Sequence, residues 1–190
     1  MTYFLDFDRT LFDTEAYYTH LVDRSECKEF RDDMLLLRQP PADGLGSGDA
    51  FRQNVWSKIS ALLESGALAF GPGELSIFLY ADVVEFLRQM GNEAIIITFG
   101  DKLRQRAKVE SALSGVVRLT VLYTELVHKA DFLLQYPHLV PAQAIFVDDY
   151  VYELEKMSQA FPAAKLFQMR RDGTGGDGRW PVIRSLHELP

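Results

Sequence analysis

Five short apolar runs, at 3–7, 94–98, 117–123, 144–147 and 165–169, do most to limit what this chain can fold into. Most run without polar alternation, the pattern of strands buried on both faces, and such strands belong to parallel sheets. Parallel neighbours need crossover helices between them. The clearest is 82–90, where Asp82 and Glu85 have capping-box spacing, Val83, Phe86, Leu87 and Met90 form one apolar stripe, and Gly91 supplies the stop. The same reading predicts helices at 102–113, 130–136 and 150–160, the last with Val151, Leu154 and Met157 on one face, and a further one at 183–189. The alternation gives an α/β fold.

The first two runs are separated by far more chain than any other neighbouring pair. This stretch, 14–80, reads as helical and is the candidate insertion. Residues 15–39 are dense in helix formers and end at Pro40-Pro41, and 51–64 places Phe51, Val55, Ile59 and Leu62 or Leu63 on one side. The glycine-rich segment 43–49 between them is expected to be a flexible linker. A second glycine-rich segment, 172–178, lacks the Lys-Ser/Thr of a phosphate-binding P-loop and is expected to be a mobile surface loop. At 190 residues the chain accommodates one core carrying one modest insertion.

Hydrophobic residues make up 47% and charged residues 25%, so the chain is expected to be globular rather than disordered. A net charge of −7 with scattered basic residues lacks the footprint of a nucleic-acid binder and favours a small substrate. Cys27 is the only cysteine, which rules out an internal disulfide and a cysteine zinc site. With no secretory signal pattern and no apolar run near membrane-spanning length, a cytoplasmic protein without membrane contact is expected.

The apolar runs end in polar residues where strands give way to loops: Asp6 and Asp8, Thr98, His128-Lys129, and Asp148-Asp149. Ligands of open parallel sheets bind outside the carboxyl ends of strands, so these residues converge on one crevice suited to a phosphate and a hard divalent ion. Asp6 lies within an apolar strand, where an unpaired carboxylate is costly. Asp8 has the same facing two residues on, so one acid can act as nucleophile and the other as proton carrier, or Asp8 can simply form a turn. Thr98, followed by Phe99-Gly100, can hold phosphate oxygens with its hydroxyl and the backbone N–H groups after it. Lys129 taken alone reads as an exposed lysine at a helix start and gains a role only through its partners. Asp148 and Asp149 repel each other unless a cation sits between them and Asp6, with helix capping as the alternative for one. Thr10 reads as a turn hydroxyl, and Asp13 or Thr14 as a helix cap. The histidines show no paired metal-ligand spacing, and there is no serine-hydrolase elbow.

Taken in order, Asp6-Phe7-Asp8-Arg9-Thr10, Thr98 within Ile-Thr-Phe-Gly, Lys129 and Asp148-Asp149 resemble the four motifs of the haloacid dehalogenase superfamily, across the whole chain. The resemblance implies a Rossmann-like three-layer core with a parallel sheet, formed by 1–13 and 81–190, and a small all-helical cap at 14–80. It implies a phosphatase-like hydrolase in which Asp6 attacks phosphorus to form an aspartyl-phosphate. Asp8 would protonate the leaving group and then activate water. Mg²⁺ would be bound by Asp6, the backbone carbonyl of Asp8, and Asp148 or Asp149, and Thr98 and Lys129 would stabilise the transferring group.

Arg9 replaces a glycine often seen in the family and is a candidate contact to cap or substrate. Asp8 argues against halide chemistry, because members working on carbon centres lack it. Phosphonate cleavage would need a cap lysine as Schiff base, and only Lys28 and Lys58 lie there. The expected substrate is a small phosphorylated metabolite. A phospholigand-binding protein that turns little over, and a transferase using an acceptor other than water, remain alternatives. Tyr17, Tyr18, Arg24, Arg52 and Trp56 are the cap residues considered for specificity.

Overall fold

The computed structural model describes residues 1–36, 50–116, 119–125 and 127–190, those at 36 and 50–52 by backbone alone. Six parallel strands lie in the order β3-β2-β1-β4-β5-β6: β1 Thr2–Leu5, β2 Ala94–Thr98, β3 Thr120–Tyr123, β4 Ala144–Asp148, β5 Lys165–Met169 and β6 Val182–Ile183. Flanking them are α4 Val83–Met90, α5 Lys102–Ala112, α6 Lys129–Gln135 and α7 Val151–Ala160. The result is an α/β, Rossmann-like fold.

Alternation along the strands builds its layers. Tyr3, Leu5, Ile96, Ile145 and Val147 face one cluster with Val83, Phe86 and Leu87 of α4 and Val109 of α5. Phe4, Ile97 and Phe146 face the other, with Ala130 and Leu133 of α6 and Met157 of α7. Central β4 is buried along its whole length, which is why it reads as an unbroken apolar run.

From 14 to 78 the described residues form helices and turns and no strand: α1 Thr14–Asp23, a 3₁₀ segment Ser25–Phe30, α2 Arg31–Leu36, α3 Ala50–Glu64 and a second 3₁₀ segment Glu74–Phe78. Val55 and Ile59 of α3 are fully buried with Leu21 and Met34 in the same cluster as α4. The two connections to the core pair with each other: Asp13 N donates to Phe78 O at 2.7 Å and Tyr80 N to Leu11 O at 3.1 Å.

Several sequence expectations change. The single helix at 15–39 breaks at Arg24, whose extended backbone (ψ 135°) ends α1 and whose side chain bonds Glu26 and Glu74. Residues 37–39, the 43–49 linker and residues 117–118 of the third run lie outside those described, as does the side chain of Phe51. The first strand stops at Leu5, leaving Asp6 and Phe7 in the following loop. The expected helix at 183–189 is instead β6, paired with Met169, and a 3₁₀ turn, Leu186–Glu188, held by a capping box between Ser185 and Glu188.

The capping box expected at Asp82 does not form. Its buried carboxylate instead accepts from Arg171 Nη1 at 2.9 Å, Ser185 Oγ at 2.8 Å and Leu186 N at 2.6 Å. A charged partner and two further donors outweigh one helix N–H. Asp82 thereby joins α4 to the last residues of the chain. Replacing it by alanine strands the buried Arg171, and urea unfolding of Asp82→Ala should show a loss of about 3 kcal/mol.

Candidate active site

The strand order reverses direction at β1 and β4, which opens a crevice beyond their carboxyl ends. Asp6 enters it directly after β1, its N–H held by Val147 O at 2.9 Å, and Asp148 enters at the end of β4. Lys129, the first residue of α6 and 3% exposed, joins them: its ammonium donates to Asp6 Oδ1 at 2.5 Å and Asp148 Oδ2 at 2.6 Å. The exposed-lysine alternative for Lys129 is therefore wrong: the side chain is buried and its ammonium is bonded to both acids. Asp148 Oδ1 also accepts from Tyr150 N at 2.9 Å.

Two atoms in the crevice are buried without a partner, Asp6 Oδ2 and Thr98 Oγ1. One oxygen each from Asp6, Asp148 and Asp149 lie within 4.8 Å of one another. Burial first, and then mutual repulsion, raise all three carboxyls above the ordinary range, with Lys129 opposing. An orphaned buried carboxylate oxygen and three converging acids are a donor set that fits a hard, oxygen-loving cation such as Mg²⁺.

Asp8 is held differently. Lys108 Nζ donates to its two oxygens at 2.5 and 2.7 Å, Gln105 Nε2 to Oδ2 at 2.8 Å and Thr14 Oγ1 to Oδ1 at 2.8 Å. Burial opposes ionisation, but these donors, Lys108 foremost, outweigh it and hold Asp8 well below the usual carboxylate range. Its carboxylate stands outside the three-acid cluster, so among the metal candidates Asp8 has only its backbone carbonyl to offer.

Lys108 and Gln105 escaped the sequence reading. The signal was the composition of α5, where Arg104, Gln105, Lys108 and Ser111 are buried on a helix whose inward apolar residues are few. Gly100 makes this arrangement fit. Its φ of +130° suits glycine, and a Cβ there would stand 3.1 Å from Gln105 Nε2. Gln105 Nε2 also donates to Phe99 O at 3.0 Å, tying the loop after Thr98 to Asp8.

The remaining candidates divide. Arg9 has the left-handed φ of +60°, which accounts for the glycine usual at that place, and its guanidinium donates to Glu15 Oε1 at 2.7 and 3.1 Å. Asp13 caps α1 through Ala16 N, whereas Thr14 is engaged by Asp8. Thr10 is buried with an unpartnered hydroxyl. The Phe99 ring stacks on His128, which bonds buried Glu153 at 2.6 Å. Of the cap residues, Tyr17 and Tyr18 are buried, Trp56 faces Arg104 of α5, and the side chain of Arg52 lies outside those described. Lys58 pairs with Asp33 and Lys28 is exposed.

No sequence-family model and no curated protein matches the chain. Solved structures do. A Burkholderia xenovorans protein assigned as a haloacid dehalogenase-like hydrolase aligns over 99% of this chain and 94% of its own, with TM-score 0.67 and 22% identity. The chain has the haloacid dehalogenase fold. A dehalogenase solved with an intermediate shares it at TM-score 0.61 and 16% identity, over 99% and 94% of the two chains. CbbY from Rhodobacter sphaeroides, solved with phosphate, does so at TM-score 0.54 and 14% identity, over 99% and 95%. Within the haloacid dehalogenase fold, α1–α3 occupy the insertion between the strands that carry Asp6 and Thr98.

Removing Lys108 leaves Asp8, a half-buried carboxylate, short of its countercharge. Lys108→Met should lower stability by about 2 to 3 kcal/mol at pH 7. Because the depressed Asp8 stabilises the fold fully above the ordinary carboxylate range and ceases to only as pH falls towards its lowered folded pKa, the gap to wild type should narrow below about pH 4. Denaturant titrations of both proteins across that range read it.

Proposed function

We propose that this chain is a Mg²⁺-dependent phosphomonoester phosphatase that acts on a small phosphorylated metabolite in the cytoplasm through an aspartyl-phosphate on Asp6. The observation that carries this is the pair of buried, unpartnered atoms Asp6 Oδ2 and Thr98 Oγ1 at the strand ends, with the other oxygen of Asp6 held by Lys129. In the first step Asp6 Oδ2 bonds to phosphorus as the bond to the leaving oxygen breaks, and Asp8 in its protonated form gives that oxygen its proton. Thr98 Oγ1 and the backbone N–H groups after it hold the phosphoryl oxygens, and Lys129 keeps Asp6 ionised and oriented. In the second, water attacks the phosphoryl group, Asp8 accepts its proton, and inorganic phosphate leaves Asp6 free. Asp6, the Asp8 carbonyl, and Asp148 or Asp149 would hold Mg²⁺, which when bound would offset the repulsion between these acids and a phosphate dianion.

Phosphate release from a panel of phosphomonoesters should require Mg²⁺, and Asp6→Asn should lower it by about three orders of magnitude or more. Activity surviving that substitution would sink the mechanism. Metal binding has its own signature. Carboxyls raised in the fold bind protons that the unfolded chain has already released, so the metal-free protein loses stability as pH climbs above the ordinary carboxylate range. The thermal stabilisation by Mg²⁺ over chelator should therefore be larger at pH 8 than at pH 5.5.

The Lys108–Asp8 pair favours a second reading, a phospholigand-binding protein with slow turnover. Asp8 rests as a carboxylate, ready to accept a proton from water but not to give one to a leaving oxygen. Phosphate release from aryl phosphates, whose leaving groups need no proton, separates the readings. An excess of about 10²-fold over alkyl phosphates marks the slow-turnover protein, whereas comparable rates mark an Asp8 that reloads its proton during catalysis.

A further inference from the structure

Arg104, in the first turn of α5, is 6% exposed, and among the described residues no carboxylate pairs with its guanidinium. Its Nη1 is buried without a hydrogen-bond partner. Other cations near the crevice each have an acid: Lys129 has Asp6 and Asp148, Lys108 has Asp8, Arg9 has Glu15 and Arg171 has Asp82. Arginine is seldom buried unless paired, and the face of Trp56, 4.7 Å from Cζ, offers about 0.5 to 2 kcal/mol, which does not replace an anion. Asp101, the helix cap, accepts instead from the Arg104 backbone N–H at 2.8 Å and from Ser60 Oγ at 3.1 Å.

The location ties this cation to the proposed reaction. A Cβ on Gly100 would stand 3.4 Å from Arg104 Nη2, so the guanidinium lies against the loop that follows Thr98. On its other side the Trp56 ring comes from α3 of the insertion, with Tyr18 as the hydrogen-bond neighbour of its indole. A buried guanidinium with no carboxylate thus sits between insertion and core, next to the loop after Thr98. A buried cation whose Nη1 has no acceptor calls for an anionic ligand.

We propose that Arg104, backed by the Trp56 ring, forms a second anion subsite, so that the substrate carries a carboxylate or a second phosphate besides the phosphoryl group that is transferred. The assignment rests on the reading of the crevice as a phosphatase site, and it narrows the substrate from phosphomonoesters in general to small bifunctional anions. Planar guanidinium matches either a carboxylate or a phosphate in bidentate fashion.

The test is binding rather than turnover, so it stands apart from phosphate release. Wild-type protein with Mg²⁺ is titrated calorimetrically with non-hydrolysable alkyl phosphonates whose far end, one to four methylenes away, is a carboxylate, a second phosphonate or a methyl group. At the best spacer the anionic ends should bind about 10 to 100-fold more tightly than the methyl end, and whichever of the two binds better names the second group. In Arg104→Met, or Arg104→Gln should that protein not fold, this ratio should fall to near one. Equal affinities in wild type at every spacer, binding of none of the compounds, or a ratio that survives both substitutions would each overturn the subsite. Failure to release phosphate from any ester, with the ratio intact, would instead overturn the phosphatase and leave a receptor for bifunctional phosphate ligands.

Discussion

The ammonium of Lys129 between Asp6 and Asp148 is the contact on which the site depends. Asp6 follows β1 directly and Asp148 ends β4, at 5% and 6% exposure, and in such surroundings neither could remain ionised alone. A compact cation between them lets two acids face one crevice while one oxygen of Asp6 stays unpartnered. The sheet makes this possible. Leu5 is in register with Val147, so the residues after β1 and at the end of β4 emerge side by side. Lys129 comes from the helix layer on the Phe4 face, the face towards which Asp148 points by alternation. Strand order, register and helix placement thus meet in one triad.

The second acid is governed by the opposite layer. Asp8 takes Lys108 and Gln105 from α5, and its ionisation is set there rather than by the cluster around Lys129. The two carboxylates of the first motif, two residues apart, are therefore electrostatically distinct. Asp6 is raised by burial beside other acids, and Asp8 is depressed by three donors. Separation of this kind is how a pair of like groups takes unlike roles.

What the sequence made legible was whatever periodicity or strand-end placement encodes. Strands β2 and β5 fall where the apolar runs stand, and Asp6, Thr98 and Asp148 are recognisable because a polar residue at the end of a buried run is conspicuous. Lys108 was invisible for the converse reason. A lysine in a helix rich in charge reads as solvated surface, and only the approach of α5 to the loop after β1 reveals an acid facing it. Asp82 misled because the capping-box spacing is local, whereas its three donors come from residues 171, 185 and 186. The short β6 and the turn after it likewise depend on pairing with β5, which no local pattern announces.

Helix α5 also connects Asp8 to the insertion. Its inner side carries Lys108 and Gln105, while its cap and its last turn are tied to residues between the first two strands. Ser60 Oγ donates to Asp101, Gly73 N to Ser111 O, Leu75 N to Ser111 Oγ, and Ser111 Oγ to Gly71 O. Since α5 is one rigid rod of 11 residues, a shift of the insertion against the core bears on both ends of the element that holds the countercharge of Asp8. The distance from Lys108 to Asp8 decides whether that carboxyl accepts or donates a proton, because a buried acid separated from its cation regains its proton. A displacement of the insertion against the core would therefore also reset the ionisation of Asp8.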